Sequence, residues 1–251
     1  SDYLVLSRRA VTVPMLSNFD DILQIARIQC FPNQLSEFIQ ERYGLRLSHE
    51  EYEDLIRLEK KTKNKLVSIE NENIDHLIPT LQALEARILT NARIERPGLL
   101  TYLDSMGLNA TSTFAIVDIG YAATIQGYLN RIINKTVHGY YLMTTERAQK
   151  VSSQHGAITR GCFAHHINPK TSQSPIFLKS FSLEKLLSSD DAQIVCYRHT
   201  DSGDIVPEFR QLADEERQSM ATRAEIRRGI MDFVNRSITI RDKLISDFEV
   251  P

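Results

Sequence analysis

The most informative stretch of the chain places a carboxylate and a hydroxyl around a short turn. Residues 113–126 read Thr-Phe-Ala-Ile-Val-Asp-Ile-Gly-Tyr-Ala-Ala-Thr-Ile-Gln. The apolar run before Asp118 is typical of a buried strand, and the repeat of apolar residues after Thr124 is typical of a helix. Gly120 permits a tight turn between them. A carboxylate at a strand's carboxyl end, beside a helix N-terminus, can contribute to a site for a phosphorylated ligand.

The same residues also have a purely structural explanation. Asp and Thr are common capping residues at the start of a helix. The segment has neither the Gly-Lys-Ser/Thr of a Walker loop nor a G-x-G-x-x-G pattern. The spacing alone therefore leaves both a ligand site and a capped helix start open.

A second candidate for anion binding lies close to the N-terminus. The sequence Ser-Arg-Arg at 7–9 directly follows the apolar run 3–6, which predicts a strand. Guanidinium groups match the oxygens of a phosphate group. If 3–6 and 114–117 are neighbouring parallel strands, the loops that follow them face one crevice, where the arginines compensate the charge of Asp118. The alternative is a surface arginine pair with no ligand.

Aromatic and acidic residues near these motifs are further candidates. Tyr121, Tyr140 and Tyr141 are placed to line the same crevice, although aromatic residues in strands more often belong to the core. Adjacent strand residues face opposite ways, so we expect one of Tyr140 and Tyr141 in the core and the other in the cleft. Glu184 is the one acidic residue in an apolar and hydroxyl-bearing stretch. It fits a base, a sugar ligand or a helix cap.

Composition argues against several classes of protein. The net charge of -2 over 251 residues provides no global basic field to recruit nucleic acid. No apolar run approaches the roughly 18 residues of a membrane span. The three cysteines lie far apart without a C-x-x-C pattern, which favours a reducing compartment, and we expect a cytoplasmic protein. His165 and His166 have no carboxylate or cysteine at metal spacing, so the chain predicts no metal site of its own.

The order of the predicted elements favours an α/β fold. Residues 18–108 have an almost wholly helical pattern, with helix starts at 17–18 and 48–51 and a break at Pro97-Gly98. We expect a central, mostly parallel sheet, a large helical insertion between the first and second strands, and a long C-terminal helical segment. The predicted strands are 3–6, 114–117, 138–144, 159–164 and 192–199 with a hairpin return at 205–207, and the predicted C-terminal helical segment is 210–248.

Taken together, these motifs resemble those of one protein family. They are Ser7-Arg8-Arg9-Ala10, Asp118-Ile119-Gly120-Tyr121 followed by Thr124-Ile125-Gln126, Gly139-Tyr140-Tyr141-Leu142, and Leu183-Glu184. The chain resembles the glycan phosphoribosyltransferase domain of bacterial ribofuranosyltransferases, the region that follows a haloacid-dehalogenase-like domain in polysaccharide biosynthesis proteins. The resemblance runs from about Ser7 to Phe209, and Tyr121 stands where family members often carry Trp.

The resemblance implies transfer of a 5-phosphoribosyl group from phosphoribosyl diphosphate to a hydroxyl of a growing bacterial surface glycan, such as capsule or O-antigen. It implies Asp118 and Glu184 as catalytic residues. The substrate-binding residues would be Ser7, Arg8, Arg9, Gly120, Tyr121, Thr124, Gln126 and Tyr141. Mg²⁺ would accompany the donor by analogy with other phosphoribosyl diphosphate chemistry. The expected partners are this donor, the glycan acceptor and a phosphatase domain of haloacid-dehalogenase type, whose signature this chain lacks.

Two other functions stay open on the sequence. One is a glycosyltransferase that uses a sugar nucleotide, although the chain has no Asp-x-Asp beside a strand end. The other is a non-catalytic module that binds an acceptor or a partner domain in a polysaccharide polymerase. We expect 1–251 to be a single transferase domain with its helical insertion at about 18–108. Because the chain opens almost inside a predicted strand, we also expect it to be excised from a longer multi-domain protein.

Overall fold

The structure is a computed structural model that describes residues 2–28, 33–58, 66–69, 72–108, 113–189 and 191–244; Cys30 lies outside these ranges. The described residues form ten α-helices and five strands. The helices are α1 (Arg8–Thr12), α2 (Phe19–Ala26), α3 (Leu35–Tyr43), α4 (His49–Leu58), α5 (Ile78–Ser105), α6 (Thr124–Ile133), α7 (Glu146–His155), α8 (Pro175–Leu178), α9 (Ser180–Leu187) and α10 (Asp214–Leu244). The strands are β1 (Phe114–Asp118), β2 (Val137–Thr145), β3 (Ile158–Ile167), β4 (Ile194–His199) and β5 (Ile205–Phe209).

The strands form two sheets. One is parallel in the order β1-β2-β3, and the other is the antiparallel hairpin β4-β5. In the parallel sheet Asp118 lies beside Tyr141, so the carboxyl ends of β1 and β2 share one edge. The α/β class, the parallel sheet, the large helical part and the long C-terminal helix confirm the predicted fold class. The predicted strand at 159–164 and the hairpin are confirmed as well.

Residues 3–6 form no strand and pair with none in the described part of the chain, so the first predicted strand is wrong. Two tyrosines bind the backbone of Val5 instead. Tyr102 Oη accepts a hydrogen bond from the Val5 N–H at 2.8 Å, and Tyr197 Oη donates one to the Val5 carbonyl at 2.5 Å. The two tyrosine rings stack with centroids 4.3 Å apart. The helical part therefore lies between this N-terminal segment and β1.

α5 continues for 28 residues through Pro97, so the predicted break at Pro97-Gly98 is wrong. A proline inside a helix removes one backbone hydrogen bond and costs about 3 kcal/mol. Tertiary packing offsets that cost, because α5 lies directly against β4. A Cβ on Gly98 would lie 2.5 Å from the carbonyl oxygen of Tyr197, so glycine is what permits this approach.

Two apolar clusters form the interior. The helical core is formed by α2 to α5 and includes Phe38 and Tyr43. The sheet core joins α1, the end of α5, α6 and the strands, and includes Leu129 and Val137. α5 belongs to both clusters, through Leu81, Leu84, Ile88 and Ala92 in the helical core and Leu99, Tyr102 and Leu103 in the sheet core.

The predicted helix starts within the helical part are confirmed. Asn18 Oδ1 accepts the Asp21 N–H at 2.9 Å at the start of α2. Before α4, Ser48 and Glu51 form a reciprocal capping box with distances of 2.8 and 3.2 Å. Local hydrogen bonding of this kind is visible in the sequence because both partners lie within four residues.

Candidate functional site

The loop from β1 to α6 lies at the carboxyl edge of the parallel sheet, and we call the site around this loop the crevice. Asp118 ends β1, and its Oδ1 accepts the Gly120 N–H at 2.8 Å. A Cβ on Gly120 would lie 3.2 Å from the same oxygen, so glycine allows this close approach. At the end of β2, Thr145 donates from its N–H and its hydroxyl to the Tyr121 carbonyl, at 3.0 and 3.2 Å. The loop is therefore fixed to both strands.

Two helices begin along the same edge of the sheet. α6 begins at Thr124, which is its first helical residue and not its cap. Ala123 precedes it in the left-handed region, with a φ of 56°, and no side chain caps the first N–H groups. α7 begins at Glu146, directly after β2, and also has no side-chain cap. Uncapped helix N-termini carry partial positive charge and attract anions.

Arg8 brings the N-terminal segment to this crevice. Its guanidinium interacts electrostatically with Asp118 and Glu184. Burial by the surrounding protein lowers the pKa of Arg8, and the charges of Arg147 and Arg42 lower it further. Arg8 is nevertheless accessible to solvent. A ligand in solvent can therefore reach the Arg8 side chain.

The two predicted catalytic carboxylates interact within the crevice. Burial raises the pKa of Asp118, while the Gly120 N–H and the Arg8 charge act in the opposite direction. For Glu184, on α9, burial is again the main cause of a raised pKa; the charge of Asp118 raises it further, whereas Arg8 and Lys185 lower it. Carboxylates with raised pKa values beside a cation in a cleft are typical of functional sites.

Tyr121 connects the crevice to α8 and α9. Its ring meets that of Phe177 edge to face, with centroids 6.3 Å apart and an interplanar angle of 79°. Ser180, at the start of α9, lies near the Tyr121 hydroxyl. Burial, and then the charge of Glu184, raise the pKa of Tyr121. Tyr121 thus lies between the loop that follows Asp118 and the helices that carry Phe177 and Glu184.

Ser7 and Arg9 have structural contacts and do not face the crevice. Ser7 Oγ accepts the Ala10 N–H at 3.1 Å, which caps α1, and donates to a carbonyl of β4 at 2.7 Å. Arg9 forms a buried ion pair with Glu95 of α5, with 2.7 Å between Nη2 and Oε1. Its guanidinium also donates to the carbonyl of Val195. Of the predicted pair of arginines, the structure therefore places only Arg8 beside Asp118.

Gln126 and Tyr141 lie in the interior. Gln126 Nε2 donates to the carbonyls of Val137 and Ile158, at 2.7 and 2.9 Å, and its Oε1 accepts from Tyr141 Oη at 2.8 Å. This network joins α6 to the starts of β2 and β3. Tyr140, the neighbour of Tyr141, is 43% exposed on the opposite face of the sheet. The structure thus gives Gln126 and Tyr141 a structural role.

Replacing Gln126 with leucine tests this structural role. The change removes the Gln126 partner of the Val137 and Ile158 carbonyls and of the Tyr141 hydroxyl, so we expect the free energy of unfolding to fall by about 2–4 kcal/mol. Urea denaturation measures the change. Gln149→Leu, on the exposed surface of α7, is the matched control and should change stability by less than about 0.5 kcal/mol. A similar small effect of both substitutions would contradict the assignment.

Arg147 and Arg42 are two further cations near Arg8 that were not predicted from the sequence. Arg147 is the second residue of α7 and follows the end of β2, so its place beside a strand end was a usable signal. Arg42 lies on α3 and also donates to the carbonyl of Ile28 at 2.7 Å. No local pattern relates Arg42 to the crevice, because only the tertiary fold brings α3 close to α1.

His165 and His166 contact each other and not the crevice residues. Their ring centroids are 3.7 Å apart, and His165 Nδ1 lies 2.7 Å from Thr144 Oγ1. Within the described ranges, no group of three or more His, Cys, Asp or Glu residues has a geometry that could hold a metal ion. No helix in those ranges is both long enough and apolar enough to cross a membrane.

The crevice is thus formed by Arg8, Asp118, Tyr121 and Glu184, with Arg147 and the start of α6 at its edge. We compared the chain with protein-family models and with curated proteins. No family model matches the chain, and neither does any curated protein.

Proposed function

We propose that this protein is a glycan phosphoribosyltransferase that moves a 5-phosphoribosyl group from phosphoribosyl diphosphate to a hydroxyl of a growing bacterial surface glycan. The observation that carries the proposal is the meeting of Arg8 with Asp118 and Glu184 beside an uncapped helix N-terminus. Cations and carboxylates in one crevice match a donor that combines a polyanionic leaving group with a sugar. The resemblance of the motifs between Ser7 and Phe209 supports the same function.

The cationic side of the crevice suits the diphosphate. Burial lowers the pKa of Arg8, and repulsion by the two nearby arginines, Arg147 and Arg42, lowers it further. An anion bound between them removes this repulsion and forms charge-assisted hydrogen bonds. The N–H groups at the start of α6 add donors that need no reorganisation during the reaction. These groups would stabilise the negative charge that grows on the diphosphate as it leaves.

The carboxylates suit the sugar and the acceptor. As the anomeric C–O bond breaks, the diphosphate takes the bonding electron pair and the ribose develops positive charge, which Asp118 would stabilise. The acceptor oxygen then bonds to the anomeric carbon, and its proton passes to the carboxylate of Glu184. A raised pKa makes a carboxylate a more effective base near neutral pH, and burial raises the pKa of Glu184.

The carboxylates of this site are suited to bind Mg²⁺ together with the donor. In proteins this ion is commonly held by one or two carboxylates together with phosphates of the substrate, and Asp118 and Glu184 are the residues that would hold it. When bound, it would neutralise charge on the diphosphate. A phosphatase domain of haloacid-dehalogenase type would remove the 5-phosphate of the product. The transfer would take place in the cytoplasm.

Calorimetric titration of phosphoribosyl diphosphate against a panel of sugar nucleotides tests the function. We expect phosphoribosyl diphosphate to bind more tightly than any sugar nucleotide. Arg147→Ala should weaken this binding about tenfold, the equivalent of one charge-assisted hydrogen bond. Lys150→Ala, one turn further along α7, is the matched control and should leave binding unchanged. Preference for a sugar nucleotide would favour the alternative glycosyltransferase, and absence of any donor binding would favour a non-catalytic module.

A further inference from the structure

The parallel sheet has one face without a helical layer in the described part of the chain. α6 and α7 cover the face that carries Val137 and Tyr141, both of which are buried. On the opposite face, Val117 is 85% exposed, Tyr140 43% and Ile158 42%. Val117 and Tyr140 are direct neighbours in the register of β1 and β2. We call Val117, Tyr140 and Ile158 the bare sheet face.

A bare face is unusual for a parallel sheet. Parallel sheets occur almost only with helices packed on both faces. Exposed apolar side chains that lie side by side mark surfaces that bind another protein element. The element that fits is an amphipathic helix, because a helix is what covers the opposite face of this same sheet.

α10 carries an apolar surface of the matching kind. Ile226, Phe233 and Ile240 follow one another at every seventh position and are 42%, 71% and 57% exposed. Residues seven apart lie on one side of a helix. The helix is held to the rest of the protein through Arg227, which donates to the carbonyl of Ser188 at 2.7 Å. We call Ile226, Phe233 and Ile240 the α10 stripe.

We propose that two copies of this chain associate, with the α10 stripe of each copy packed on the bare sheet face of the other. Within one copy the stripe does not cover that face, since Val117 is 85% exposed. A second copy supplies both missing surfaces at once. The arrangement is reciprocal, so a two-fold axis relates the two contacts and the association closes at a dimer.

The dimensions fit this arrangement. The stripe from Ile226 to Ile240 is about 21 Å long at the helical rise of about 1.5 Å per residue. Three strands are about 14 Å wide, so one helix covers most of the sheet. Two reciprocal contacts together bring twelve large, partly exposed apolar side chains into one interface, six from each copy.

Pairing of two α10 helices is the main alternative for a dimer. A coiled coil needs apolar heptads sustained over about three or four repeats. The α10 stripe spans only two, between Ile226 and Ile240, and a serine at 237 interrupts the second apolar position of the repeat. Pairing of this kind would also leave the bare sheet face exposed. The sheet is therefore the better partner for the stripe.

Sedimentation velocity over a concentration series tests the dimer, with single substitutions on each surface. Val117→Lys lies on the sheet and Phe233→Glu on the helix. Each is expected to raise the dimer dissociation constant by at least about tenfold, as substitutions at the centre of an interface do. Ile94→Lys, at an apolar residue of α5 that is 71% exposed, is the matched control and should leave the dimer intact. Thermal unfolding of each variant checks that the fold is kept.

A mixture of the two variants sharpens the test. Val117→Lys retains an intact α10 stripe, and Phe233→Glu retains an intact bare sheet face. An equimolar mixture should therefore form more dimer than either variant alone, because one of the two contacts is restored. A wild-type chain that stays monomeric up to about 200 µM, well above the micromolar affinity of a standard interface, would overturn the proposal. The proposal would also be overturned if Val117→Lys left the dimer dissociation constant unchanged, which is the result expected for a coiled coil of α10 helices.

Discussion

Asp118→Asn should remove most of the transferase activity while the protein stays as stable as before or becomes more stable. Asparagine retains the oxygen that accepts the Gly120 N–H, so the turn after β1 keeps its hydrogen bond. In the proposed reaction, the substitution removes the negative charge beside the ribose. We expect turnover to fall about 10²-fold or more, the usual scale for a positioned acid or base.

The expected effect on stability follows from the sign of the pKa shift. Burial raises the pKa of Asp118 above its usual value, so the folded chain holds this proton more tightly than the unfolded chain. Stability therefore falls as the pH rises from the unfolded pKa to the folded one, and above both values the ionised carboxylate opposes folding. The asparagine side chain carries no charge. Near pH 7 the free energy of unfolding of the variant is therefore not lowered by a buried carboxylate.

Phosphoribosyl transfer and melting temperature should be measured on the same preparation at neutral pH. Asp204→Asn, in the exposed turn of the β4-β5 hairpin, changes the net charge equally and is the control for both readouts. Near-normal turnover at an unchanged melting temperature would mean that Asp118 only caps the turn. That outcome would transfer the catalytic role to Glu184.

Arg9→Ala and Arg8→Ala should have opposite consequences although the residues are adjacent. Arg9 and Glu95 form an ion pair in which both side chains are only 9% exposed. Removal of the guanidinium leaves the Glu95 carboxylate buried without a partner, which typically costs 3–5 kcal/mol. We expect the free energy of unfolding to fall by about that amount. Asn91, which also donates to Glu95 at 2.9 Å, compensates only part of the loss.

Arg8→Ala should instead act on the ligand. The substitution removes a cation that two other arginines repel, so stability should be unchanged or slightly higher. Donor binding should weaken by about 1.5–3 kcal/mol, the range for hydrogen bonds to a charged group. Chemical denaturation and calorimetric titration of both variants give the comparison. If Arg9→Ala stays folded and loses as much donor affinity as Arg8→Ala, then Arg9 also contacts the ligand.

The local part of the site was predictable from the sequence. The strand ending at Asp118, the turn at Gly120 and the helix beginning at Thr124 are set by short-range patterns, and all three are present. Whether Arg8 or Arg9 faces the crevice is not a local property. The choice depends on Glu95, a residue 86 positions away that accepts hydrogen bonds from Arg9. The position of Arg42 near Arg8 also depends on the tertiary fold, so it could not be predicted from the sequence.

The errors in the predicted fold also have a tertiary origin. Residues 3–6 have the composition of a strand, but side chains of Tyr102 and Tyr197 satisfy the backbone of Val5. Pro97 would break an isolated helix, but the packing of α5 on β4 retains it. For Gln126, the amide was assigned to a ligand because buried strand carbonyls that need a partner are invisible in a sequence. Long-range contacts decided each of these cases.

The passage of α5 through both clusters has a consequence for cooperativity. A single rigid rod supplies Leu81 and Ile88 to one cluster and Leu99 and Leu103 to the other. Unfolding of either cluster would expose the apolar side chains of α5 to water. The other cluster would then lose stability, because it packs on the same helix. We therefore expect the slowest-exchanging amides of α5 and of β2 to share one opening free energy, as a single foldon does. The stability of the crevice would then depend on the helical core of α2 to α5, which lies outside the crevice.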